Sequence, residues 1–130
     1  MAINQGVTIH GEFSSADASA LSEADSRILL YGPGSTTAIT VASTDYVCIT
    51  GFTVQLGASG LTVTLYDGAN NTPAAGEIIF KGTLAANGFA GFTCFTPHVC
   101  QVGTWPKLLT SGAGQVDVSI RGFLTSITPR

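Results

Sequence analysis

Apolar and polar residues alternate with a period of two through most of this chain, and that period belongs to strands rather than helices. In "LTVTLY", Leu61, Val63 and Leu65 oppose Thr62, Thr64 and Tyr66. In "QVDVSIRGF", Val116, Val118 and Ile120 fall on a face assigned to the core, and Asp117, Ser119 and Arg121 on the outer one. Gly, Pro and Asn punctuate the runs between them, predicting strands at "RILLY", "TAITVA", "DYVCITGFTVQL", "LTVTLYD", "EIIFKGTL", "GFAGFTCF", "HVCQV", "KLLT" and "QVDVSIRGFL". The third is long enough to be one bent strand with Gly51 at the bend or bulge. Eight or nine short strands with no helix between them predict an antiparallel all-β sandwich or barrel.

Helical periodicity is almost absent. "SSADASALSEADSR" has helix-friendly residues but only Leu21 as a large apolar anchor, so it reads as a polar connector with one helical turn at most. It divides the chain into an N-terminal arm and connector, residues 1–26, and a β-sandwich domain, residues 27–130. The arm, "AINQGVTIHGEF", alternates weakly, and Ile3, Val7, Ile9 and Phe13 are its candidate partner-binding residues by strand addition to another chain.

Composition sharpens this picture. Charged residues make up only 10% of the 130 positions, against about 25% in an ordinary globular protein, and hydroxyl and small residues fill the polar sites. Such a surface has little electrostatic reason to stay isolated, so burial against neighbouring subunits is expected. The net charge of −3 comes with no Lys/Arg cluster, which argues against nucleic acid as a partner. No apolar run approaches the roughly 18 residues of a membrane span, so no membrane partner is expected either. "MAINQGVTIHGEF" has neither a basic segment nor an apolar block, so it does not read as a secretory signal, and synthesis in a cytoplasm is expected.

Candidate chemistry is sparse. No nucleophile-elbow, metalloprotease or phosphate-loop motif occurs, and no catalytic residue or cofactor is assigned. Cys94 and Cys100 flank "FTPHV", where a hairpin-bridging disulfide is geometrically allowed but the odd cysteine count argues against a disulfide framework. Either cysteine with His98 would form a Cys–His pair, although neighbours along one hairpin rarely meet in the required geometry. Cys94, His98 and Cys100 also have zinc-ligand chemistry, with His98 and Cys100 on one strand face. The knuckle spacing is missing, and a fourth ligand would have to come from Cys48 or His10. Cys48 itself reads as a small buried hydrophobe, Trp105 as the plug of a core edge, and Tyr31, Tyr46 and Tyr66 as half-buried strand residues. "YDGANN" offers too few oxygen ligands for calcium and reads as a surface turn, with Gly68 and the asparagines taking positive φ.

Two longer stretches, "LTVTLYDGANNTPAAGEIIFKGTL" and "GFTCFTPHVCQVGTWPKLLTSGAGQVDVSI", resemble the small β-sandwich cement or decoration proteins of tailed bacteriophage capsids. The shared features are a strand ending in Tyr-Asp-Gly before a polar turn, a small-residue step at Pro73–Gly76, a corner at Phe92–Pro97, and an alternating final strand. His98 stands where that pattern more often has Pro or an apolar residue. The resemblance, over about residues 46–123, implies a jelly-roll-like sandwich and a non-enzymatic homotrimer. It further implies a virion location, with the major capsid protein as partner and the shell stabilised from outside. The alternative is a carbohydrate- or receptor-binding β-sandwich of a tail, fibre or lectin type.

Overall fold

The computed structural model describes residues 6–68 and 70–126, with every side chain among them except that of Phe95. Eight strands run in chain order: β1 (Val7–Ser15), β2 (Leu29–Tyr31), β3 (Tyr46–Leu56), β4 (Leu61–Tyr66), β5 (Ile78–Leu84), β6 (Phe89–Val99), β7 (Lys107–Thr110) and β8 (Val116–Thr125). They form two antiparallel sheets, ordered β2-β1-β8-β3-β6 and β5-β4-β7, packed as a sandwich. The succession 1-8-3-6 facing 7-4-5 is jelly-roll-like, with two interleaved hairpin sets closing over one core. Just before β2 the chain also bonds the other sheet: Ile28 N–H donates to Pro106 O and Leu108 N–H to Ser26 O. Residues 26–31 therefore bridge from one sheet to the other.

The core follows from the alternation. Val116, Val118 and Ile120 of β8 are buried while Asp117, Ser119 and Arg121 are exposed, as their period predicts. In β3 the residues in the core cluster are Val47, Ile49, Phe52, Val54 and Leu56, so the period of two is broken once by a spacing of three. Without compensation that step would turn half the strand inside out. The ladder between β3 and β8 instead shifts between Ile49 and Gly51, where β3 carries one extra residue as a bulge. A second shift lies in β6. Ile49 pairs with His98 but Gly51 pairs with Thr93, so residues 94–97, including Pro97, bulge out of this edge strand.

Four expectations are corrected. Residues 7–15 are not a detached arm: β1 pairs with β8 over its whole length and with β2 at His10–Glu12, so the sandwich begins at Val7 rather than residue 27. "TAITVA" makes no ladder, because it packs Ile39 and Val41 on the core while spanning loop between β2 and β3. "GFAGFTCF" and the start of "HVCQV" are one strand interrupted by the bulge. Tyr66 is fully rather than half buried.

The connector does contain one helical turn, closed by Ser26 N–H to Ser22 O at 3.0 Å. It lies on the body rather than apart from it, with Ala18 buried and Leu21 packed against the core. Trp105 also packs on that core, with the Arg27 guanidinium 4.2 Å from its ring centroid.

Candidate functional site

The residues that carry chemistry converge where β4 leaves one sheet and the end of β6 leaves the other. Leu61, Val63 and Leu65 of β4 face the core, and one more step of the same period points Asp67 between the sheets. The bulge in β6 sets His98 beside Ile49, a core-facing position, and Cys100 two residues on takes the same side, its N–H donating to Val47 O at 2.9 Å. His98 Nε2 lies 3.1 Å from Asp67 Oδ2, and donor atoms of Asp67, His98 and Cys100 all fall within 4.8 Å of one another. Asp67 is 3% exposed, and its Oδ1 is buried without a hydrogen-bond partner. A buried carboxylate oxygen left unpaired carries a real desolvation cost.

The loop holding Asp67 is built for this inward placement. Asp67 N–H donates to Glu77 O at 3.0 Å. Glu77 Oε1 accepts from Ala74 N–H at 2.9 Å, and Glu77 Oε2 accepts from Gln101 Nε2 at 3.2 Å. Gly68 does not take positive φ, nor does Asn71. A Cβ at Gly68 would crowd the Glu77 carboxylate and oblige it to shift. "YDGANN" is therefore the end of β4 and a loop whose Asp67 is core-facing, not a surface turn throughout.

A second polar group lies beside it. The Lys107 ammonium is 2% exposed, donates to Gly68 O and pairs with Glu23 Oε1 at 2.7 Å. Arg27 also reaches Glu23, at 3.2 Å. The Lys107 hydrogen bond and the two cations hold the Glu23 carboxyl below its ordinary range, against the opposing effect of burial. Burial raises the Tyr66 phenol; the Ser26 hydroxyl lies near enough to oppose that but not in hydrogen-bonding geometry.

Cys100 comes near His98 in space without a hydrogen bond between them, and the arrangement opposes nucleophilic chemistry. Burial pushes the Cys100 thiol well above its ordinary value, with the Asp67 charge and Cys48 adding to the effect. A buried thiol held neutral is a poor nucleophile. Cys48, Cys94 and Cys100 are all free, so no 94–100 disulfide forms, and Cys48 is buried as read from sequence. Cys94 opens the bulged segment and stays out of the cluster, lining a separate surface depression with Thr50, Phe92 and Arg121.

The residues expected to bind a partner through a free arm are placed differently from one another. Val7 is exposed, Ile9 is buried, Phe13 packs partly on the core, and Ile3 lies outside the described residues. An apolar surface appears instead along β6. This strand pairs with β3 on one side and with no other described strand. Phe89 is 61% and Phe92 51% exposed on the half of the strand before the bulge. Phe92 also joins Phe52 and Phe80 in a trio with ring centroids 5.2–5.4 Å apart, at the flank where β5 and β6 meet.

No helix of the described residues is long and apolar enough to cross a membrane. No protein-family model matches the chain, and no curated protein matches it in sequence.

Proposed function

We propose that this chain is a non-enzymatic structural subunit that attaches to a larger protein assembly and stabilises it. The observation that carries this reading is the unpaired edge of β6 with its exposed Phe89 and Phe92. An open strand edge flanked by aromatic side chains is a template for another chain, and a monomer normally blunts such an edge with charge. Here charged residues are scarce. With the sequence resemblance, the assembly is the outside of an icosahedral phage head and the partner its major capsid protein. A homotrimer would present three such edges, so that weak single contacts sum by avidity. Binding the assembled shell in preference to its free subunits stabilises the shell by mass action.

The test is co-sedimentation of purified protein with capsids, beside a native mass measurement. Capsid-dependent pelleting and a mass of three chains are expected. A stable monomer that stays in the supernatant overturns the proposal.

One observation favours a second reading, a carbohydrate- or receptor-binding module. The outer face of the larger sheet carries a groove of about 460 Å³ lined by Glu12, Tyr31, Thr53, Gln55, Asp117 and Ser119. An aromatic ring among carboxylates, amides and hydroxyls suits a sugar. Glycan-array binding lost in Tyr31→Ala, with capsid pelleting absent, would establish this reading over the first.

A further inference from the structure

We propose that Asp67, His98 and Cys100 form a binding site for a single transition-metal dication of the zinc type, which staples the two sheets of the sandwich. The inference is independent of the attachment reading. Three observations carry it. The donor atoms, one oxygen, one nitrogen and one sulfur, come from the end of β4 in one sheet and from β6 and the residue after it in the other, and all lie within 4.8 Å. Tetrahedral zinc, with bonds of roughly 2.0–2.3 Å, places its ligands about 3.3–3.8 Å apart, so shifts of about an ångström bring the three into its coordination shell. Asp67 Oδ1 is buried and unpartnered, which is the state of a ligand oxygen awaiting a cation.

The charges also close. A carboxylate and a thiolate with a neutral imidazole neutralise a dication, so the filled site is uncharged where a bare dication would be costly to bury. Binding releases the Cys100 thiol proton to water as the sulfur–metal bond forms. The mixed O, N, S set selects a borderline metal; magnesium and calcium require all-oxygen shells. The His98 side chain is 29% exposed, so water reaches the cluster from its side and supplies the fourth position. Cys94 takes no part.

The test uses the full chain, reduced and stripped with chelator, titrated with Co²⁺ and then Zn²⁺. Expected is one Co²⁺ per chain with a thiolate-to-cobalt charge-transfer band, displaced by Zn²⁺. Zn²⁺ at about a hundredfold excess over its dissociation constant should raise the melting temperature by about 8 °C or more. Loss of a mere outer-shell partner costs about tenfold or more in metal affinity, so Asp67→Asn and His98→Gln should each lose at least that much. Cys94→Ser should bind as the parent does. Because His98 is partly exposed, its variant keeps the test valid if a change at buried Cys100 unfolds the chain. The proposal is overturned if no thiolate band appears, if Cys94→Ser removes it, or if Zn²⁺ stabilises the parent and Asp67→Asn equally.

Discussion

The two halves of β6 meet the opposite sheet in different ways. Beyond the bulge, His98 and Cys100 face Asp67 across the sandwich, and the contact is directional, buried and filled by named atoms. Before it, Phe92 leans on Phe52 and Phe80 with half its surface still in water, and Phe89 points away altogether. One end of the strand is closed by chemistry within the chain. The other is closed only in part, by non-directional apolar contact that another surface can complete. The bulge at residues 94–97 separates them.

The largest expected effect comes from the junction between these halves. Gly122 of β8 lies opposite Ile49, at the shift in the ladder, and a Cβ there would sit 1.8 Å from Cys48 O. The obstruction is backbone, which has no rotamer to escape into. Gly122→Ala should therefore cost about 3 kcal/mol or more, lowering the denaturation midpoint of both halves together. A loss under about 1 kcal/mol would mean that the strands separate easily here, and that the two halves are not held by a common rigid junction.

The next effect sharpens the closed end alone. Glu23→Gln removes the carboxylate opposite the buried Lys107 ammonium, which keeps only Gly68 O and the neutral amide. The cost should be about 2 kcal/mol near neutral pH, read by urea denaturation. The pH dependence has a definite sign. The folded-state pKa of Glu23 is lowered from its ordinary 4.5, so its stabilisation is fully present above that value. It fades as pH falls through the lower, folded value. The parent and the variant should thus differ most near neutrality and converge in acid. A gap that persists unchanged at low pH would assign the loss to packing, not charge.

Much of this closed end was readable in the sequence, but not as a site. The alternation of Leu61, Val63 and Leu65 already points the next odd residue inward, and that residue is Asp67. The Asp-Gly turn signal is strong enough to hide it, because turn chemistry and strand period compete for the same position. His98 and Cys100 were legible as one face of a strand. That they meet Asp67 rather than Cys94 depends on residues 94–97 bulging from the ladder, a tertiary event with no period to announce it. The bulge in β3 was visible for the opposite reason: Gly51 interrupts a run too long for one straight strand. The first strand reads as an arm in the sequence because the polar connector after it looks like a linker. Yet Glu23 and Arg27 in that connector find Lys107 and Trp105 only in three dimensions.

The smallest effects on stability should be the largest on attachment, and they test the open end. Phe92 contributes one ring to the trio while half exposed, so Phe92→Ala should cost about 1.5 kcal/mol, below the 3–5 kcal/mol of a fully buried ring. Phe89 makes no such contact and is 61% exposed; Phe89→Ser should leave stability within about 0.5 kcal/mol of the parent. In capsid co-sedimentation both variants should lose binding, with Phe89→Ser the cleaner measurement because its fold is untouched. If Phe89→Ser pellets as the parent does while Phe92→Ala weakens only in proportion to its lost stability, the open half of β6 is a partly finished core and not a docking edge. The separation of stability from attachment in one residue is what distinguishes a surface kept apolar for a partner from one that is merely left uncovered.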